Sequence, residues 1–212
     1  MAITQNPIIG TARKSAGGMV FSRSLDQNII RAKPITYADR KSDAQMKQRN
    51  RMAAVNGLTK ADSKKALDAL YPTRPSKQTK YSRFVQQLIA VVTGLVNGFT
   101  LDFSVLPSMG NGTLPFYASS LSSINSVGGI SLGWVNIAPA GSPRIDDLLF
   151  YVIFNETLKE GTSGITADTL DTEGATIPYP TNWLQAHVYT CYVGFTSASE
   201  YNSTIAVKAT EE

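Results

Sequence analysis

The chain has 212 residues, 42% of them hydrophobic and 17% charged, with a formal net charge of +4. That apolar content supports a real core and excludes a disordered chain, and a single cysteine excludes an intrachain disulfide. The charge is unevenly placed: 17 of the 20 Lys and Arg residues precede residue 91, and 11 of the 16 Asp and Glu residues follow it. Two segments with different jobs are expected, the basic one facing something anionic.

Residues 1–40 read as a basic, Gly-rich arm with a hairpin. Ile8-Ile9-Gly10 leads into the small-residue stretch Thr11–Gly18, which predicts an extended, pliable segment. Met19–Arg23 and Asn28–Ala32 are β-prone runs separated by Ser24-Leu25-Asp26-Gln27, a hairpin that is marginal alone. Lys33-Pro34 ends it.

Residues 41–98 read as a basic helical segment. Ser42 to about Asn56 forms the first helix, with Ser42 as N-cap and Gln45 as capping-box partner, although its apolar residues are sparse. Ala61 to Tyr71 predicts a second, short helix with Ala66, Leu67, Ala69 and Leu70 on its apolar side. Ser76 to Val92 predicts a third, because Tyr81, Phe84, Val85, Leu88, Ile89 and Val92 recur at helical spacing.

Residues 99–212 change style, with Thr, Ser, Val, Tyr and Phe dominant and turn residues recurring. Candidate strands are Thr100–Leu106, Phe116–Ile124, Gly129–Asn136, Leu148–Asn155, Thr162–Thr169, Gly174–Tyr179, His187–Thr196 and Thr204–Lys208. Many short strands without helical interruption predict a two-sheet sandwich that buries Trp134. Alternation along His187–Thr196 divides Val188, Thr190 and Tyr192 from Tyr189, Cys191 and Val193, and the second set is the expected core face. The fold class is therefore α+β: an arm, a β-hairpin and two or three helices, then an antiparallel immunoglobulin-like β-sandwich.

No targeting or membrane segment is visible. Met1–Gln5 lacks the basic and apolar regions of a secretion signal, and Leu88–Val96 is far shorter than the about 20 residues that span a bilayer. A soluble protein is expected, and the Asn-x-Ser/Thr triplets at Asn111, Asn155 and Asn202 read as chance.

Catalytic chemistry finds no foothold in the pattern. One His (His187) and one Cys (Cys191) do not make a transition-metal site. As nucleophile and base they would lie roughly 13 Å apart along a strand. Asp146 and Asp147 are adjacent, so on a strand they point to opposite faces and cannot act as paired acids; they read as solvated strand-entry residues. Gly17-Gly18 and Gly128-Gly129 lack the context of a phosphate loop. The expectation is a non-enzyme with no cofactor and no metal.

The basic segment holds the candidate contact residues: Arg13, Lys14, Arg23, Arg31, Lys33, Arg40, Lys41, Lys47, Arg49 and Arg51. Five of them, from Arg40 to Arg51, fall within twelve residues. A solvated face is the plainest account, but such density repels itself unless an anionic partner relieves it. Two partners fit: an acidic protein surface, including another copy's sandwich, or nonspecific nucleic acid. Few aromatics interleave with the charges, so base stacking has little support.

The layout resembles a family of uncharacterised proteins encoded by Bacteroidota and by phages that infect them. The likeness is carried by Ser15-Ala16-Gly17, Ile30-Arg31-Ala32-Lys33-Pro34, Lys41–Arg49 and Ser82-Arg83-Phe84-Val85 in the first half. In the second half it is carried by Ile130–Trp134, Asp146–Asn155 and Tyr189–Phe195. Asp43 departs from the neutral Thr that members tend to carry. The resemblance implies a Gly-rich arm, basic helices and an immunoglobulin- or fibronectin-III-like sandwich, without established activity or catalytic residues. Sequences similar to Lys41–Arg49 recur in phage structural proteins. The functional expectation is a virion structural protein, a head–tail connector, tail-ring or capsid-associated subunit made in the host bacterial cytoplasm. It would be a homo-oligomer that meets other virion proteins through a basic N-terminal segment ordered only on assembly. The alternative is a nonspecific nucleic-acid-binding accessory protein.

Overall fold

The structure, a computed structural model, describes residues 2–4, 14–16, 19–24, 27–32, 41–59, 64–73, 78–197 and 202–211. Its contacts divide the chain into two compact units, Met1–Lys41 and Ser42–Glu212.

The first unit is a four-stranded antiparallel sheet. Its strands are β1 (Ala2–Thr4), β2 (Lys14–Ala16), β3 (Met19–Ser24) and β4 (Gln27–Ala32), in the order β1-β4-β3-β2. The expected hairpin is β3–β4, with Met19 opposite Ala32 and Ser24 opposite Gln27. A lone hairpin leaves both outer edges unpaired; β1 covers one and β2 the other, each over three residues. Val20, Ile29 and Ile30 are only half-buried and Met19 is 49% exposed, so none of this unit's described side chains is buried.

The second unit begins with α1 (Asp43–Leu58), α2 (Lys64–Leu70) and α3 (Lys80–Val91). Ser42 caps α1 through the expected box: its hydroxyl accepts from Gln45 N–H, and the Gln45 side chain accepts from Ser42 N–H. Only the last turns of α1 are buried, through Ala54, Val55 and Leu58. α3 starts later than its pattern predicts, because Thr79 caps it by accepting from Ser82 N–H. It buries Phe84, Leu88 and Val91.

A short ribbon, β5 (Val92–Leu95) and β6 (Gly98–Leu101), follows and rests on α1. Asn50 Nδ2 donates to the carbonyls of Leu95 (2.8 Å) and Val96 (3.0 Å). The expected strand Thr100–Leu106 stops at Leu101. Asp102 accepts from Ser104 N–H at 2.9 Å and turns the chain into a 3-10 helix, Phe103–Val105.

The sandwich strands are β7 (Ser108–Met109), β8 (Ala118–Ser126), β9 (Gly129–Asn136), β10 (Leu148–Asn155), β11 (Glu160–Thr169) and β12 (Gly174–Pro178). After them come β13 (Tyr189–Ser197), β14 (Asn202–Ser203), β15 (Ala206–Lys208) and β16 (Thr210–Glu211). One sheet has the order β11-β10-β13-β15-β7, with β14 also on β13, and the other has the order β12-β9-β8-β16. β11-β10-β13-β15 occupy the places of strands C′, C, F and G of an immunoglobulin-type sandwich, and β12-β9-β8 those of E, B and A. All their pairings are antiparallel; β16 alone runs parallel to its neighbour, β8.

The start of β13 carries the tyrosine corner of that fold. Tyr189 Oη donates to the carbonyl of Leu184, five residues upstream, at 2.6 Å, and Cys191 stands two residues further along. Tyr189→Phe is expected to cost about 1 kcal/mol, since it removes one of the two donors to a carbonyl that the His187 N–H also reaches at 3.0 Å. A urea midpoint that does not move at constant slope would show that the bond contributes nothing.

The helices are not a separate domain before the sandwich, although charge and composition divide the sequence near residue 98. They form a third layer on the C′-C-F-G sheet. Phe150, Val152 and Phe154 of β10 and Tyr192 of β13 pack with Leu58, Leu70, Phe84 and Leu88. Leu149 and Ile153 of β10, with Tyr189, Cys191, Val193 and Phe195 of β13, pack with Ile130, Leu132 and Trp134 of the other sheet. The expected core face of β13 is thus buried, but Thr190 and Tyr192 opposite it are buried too. This strand lies in the middle layer and has no solvent face.

Candidate interaction surface

The candidate cations fall into three groups. Arg13, Lys33 and Arg40 lie outside the described residues. Lys14 is on β2, Arg23 on β3 and Arg31 on β4, with Arg31 exposed. Lys41, exposed at φ +45°, joins the two units just before the α1 cap. On α1, Lys47 and Arg49 are exposed on the helix surface, whereas Arg51 is half-buried.

Arg51 has a structural task. Its Nε donates to the carbonyl of Ile89 at 3.1 Å, and Nη2 donates to the same oxygen. Ile89 lies in the last turn of α3, where the helix dipole favours a cation, and its oxygen accepts from the Val92 N–H as well. The guanidinium thereby ties α1 to α3, and its charge is directed inward rather than to a ligand.

Charge is polarised at two levels. Residues 1–41 carry seven Lys and Arg against two Asp, which leaves thirteen against fourteen acids in 42–212. Within the second unit the cations concentrate on the helical layer, where Lys47, Arg49, Lys64, Lys65 and Arg83 are exposed. Lys80 is paired with Asp68 at 2.7 Å. Acids from Asp102 onward belong to the sandwich, with Asp146, Asp171, Glu173 and Glu211 exposed.

The residues weighed for catalysis have other roles. Cys191 is 2% exposed between the sheets, and burial pushes its thiol up to about 12, so no thiolate is available near neutral pH. His187 precedes β13 rather than opening it. Its Nδ1 lies 2.9 Å from Asn155 Nδ2 and 3.4 Å from Leu184 N–H, a joint that fixes the loop before the tyrosine corner. Asp146 is exposed as expected, but Asp147 is 4% exposed and sits 3.6 Å from Arg144 Nη1. The chain folds over Asp147 because its backbone is bonded on both sides, from Asp147 N–H to Arg144 and from Leu170 N–H to Asp147. Among the described residues no group of His, Cys, Asp and Glu is placed to hold a metal ion, and no helix is long and apolar enough to cross a membrane.

A groove of about 730 Å³ runs between α2 and the C′-C-F-G sheet, lined by Lys65, Asp68, Ala69, Lys80, Leu148 and Ile165. Its walls are mainly apolar and its charges are the Lys80–Asp68 pair with Lys65 at the rim. Thr196, Ser197 and Asn202 also line it.

These features define an immunoglobulin-type sandwich with a helical layer on one sheet, preceded by a separate basic β unit. The chain belongs to the family of unknown function DUF6266, which matches residues 11–208 and so spans both units. No curated protein matches it.

Proposed function

We propose that this chain is a non-enzymatic structural subunit that assembles with copies of itself and with other virion proteins through its basic N-terminal unit. The supporting observation is the state of residues 1–41: a sheet compact in itself, strongly cationic, with no buried residue among its described side chains. Sheets of short strands need a covered apolar face to be stable. A partner with an acidic surface would cover it and neutralise its charge. The polarised second unit offers such a surface on another copy, and a head-to-tail contact of this kind closes into a ring or continues as a lattice. The setting in a phage particle, as connector, tail-ring or capsid-associated subunit, rests on the likeness of Lys41–Arg49 to phage structural proteins.

The test compares the full chain with residues 42–212 by light scattering at low and high salt. The cut belongs at residue 41, since a later one through α1 would strip Ala54, Val55 and Leu58 from the core. The full chain is expected to assemble at low salt and dissociate at high salt, and 42–212 to stay monomeric with its melting unchanged. A full chain that is monomeric throughout, with residues 1–41 resistant to protease, would overturn the proposal.

The exposed Lys47, Arg49, Lys64, Lys65 and Arg83 favour a second reading, nonspecific nucleic-acid binding by the helical layer. Binding would then weaken with salt at a log–log slope of about −0.9 per phosphate contact, and Lys47→Ala with Arg49→Ala would remove about two contacts from that slope. Absence of duplex binding at about 50 mM salt eliminates this reading.

A further inference from the structure

The groove between α2 and the C′-C-F-G sheet combines two properties that together select a ligand. Its volume of about 730 Å³ lies within the roughly 300–1,000 Å³ of small-molecule sites, and its walls are mainly apolar. Ala69 of α2 and Pro72 just beyond it contribute from the helical layer, Leu148 of β10 and Ile165 of β11 from the sheet.

The second property is the state of its polar groups. Lys80 pairs with Asp68 at 2.7 Å. Thr196 Oγ1 donates to the Asn202 carbonyl at 3.3 Å. Asn202 uses both ends of its amide, since Nδ2 donates to Thr113 Oγ1 and Oδ1 accepts from Ser203 N–H, each at 2.9 Å. Ser197 has a partner of its own as well. Lys65 differs: among the described residues it has no ion pair or hydrogen bond, and it is exposed at the rim.

One unmatched ammonium beside apolar walls is complementary to one negative charge on an apolar body. A cationic head would meet Lys65 as a like charge. A dianion would set half of its charge against apolar wall without a counter-charge, which is costly. A carboxylate supplies the single charge and accepts a charge-assisted hydrogen bond from the ammonium.

We infer that this groove binds an amphipathic monocarboxylate of the fatty-acid class, with its chain along Ala69, Leu148 and Ile165 and its carboxylate on Lys65. The site lies wholly within the second unit, so this binding is separate from assembly through residues 1–41.

The experiment titrates the full-length protein with octanoate, and with octanol as the neutral analogue, by calorimetry. Saturable one-to-one binding of octanoate is expected. Lys65→Ala should weaken it about fivefold, the upper range for an exposed ion pair, and leave octanol binding unchanged. Lys64→Ala, which removes the adjacent exposed lysine outside the lining, should change neither. Leu148→Trp, which fills the groove, should abolish binding of both ligands. Melting curves establish that the variants are folded, and Ile165→Phe takes the place of Leu148→Trp if that chain does not fold. Absence of saturable octanoate binding overturns the inference. So does an affinity that ignores Lys65→Ala, falls equally with Lys64→Ala, or survives the filled groove. The assembly reading is decided separately, by the light scattering of the full and shortened chains.

Discussion

Replacing Phe154 with alanine is expected to lower stability by about 3–5 kcal/mol, the range for deleting a fully buried aromatic ring. Phe154 is fully buried and meets three other rings: Phe103 at 5.1 Å, Tyr192 edge-on at 6.0 Å and Phe84 of α3 at 6.4 Å. It is the point where the sheet, the 3-10 turn and the helical layer converge. The cavity would therefore loosen the helices from β10 while leaving the core between the sheets untouched, because Leu149, Ile153 and Trp134 pack on the opposite side. Chemical denaturation followed by near-ultraviolet dichroism, with limited proteolysis to locate the first cleavage, checks both parts. A loss below about 1 kcal/mol, or first cleavage within the A-B-E sheet, would contradict the three-layer packing.

Gly161→Val should cost about 3 kcal/mol, at the upper end for overpacking, because the obstacle is backbone. A Cβ at Gly161 would lie 2.0 Å from the Leu58 carbonyl oxygen and 3.2 Å from the Phe154 ring. Neither can rotate away without moving α1 or the aromatic cluster. Glycine is used here for close approach: the last turn of α1 lies directly on β11. Gly161→Ala should already show most of the loss, since the first carbon makes the clash. The urea midpoints of the two variants test this; an alanine variant as stable as wild type would mean that α1 yields freely.

Local signals in the sequence were enough to locate most elements of the second unit. The Ser42–Gln45 box starts α1, the Phe84–Leu88 spacing marks α3, and strand positions from Gly129 to Asn155 agree with the β runs. The layering was harder to read, because the choice of one core face for β13 assumed that a sandwich strand has a wet side. The contrary signal is Leu148–Phe154, an apolar run without alternation, which is the mark of a strand covered on both faces. α1 concealed its role for a related reason: only its final turns touch the core, so the helix as a whole has no apolar stripe. The candidate cations were legible as a cluster but not as a geometry. Arg51 looked equivalent to Lys47 and Arg49 until the Ile89 carbonyl gave it a partner 38 positions away.

The lone thiol of β13 has a practical corollary. It occupies the position where antibody-type domains place the second half of an inter-sheet cross-link, yet the facing strand supplies only Ile130, Leu132 and Trp134 to that layer. Cohesion there comes from ring and aliphatic contact alone, so reducing agents should leave unfolding curves superimposable. Recombinant production would need no oxidative folding machinery, since the buried Cys191 is a free thiol.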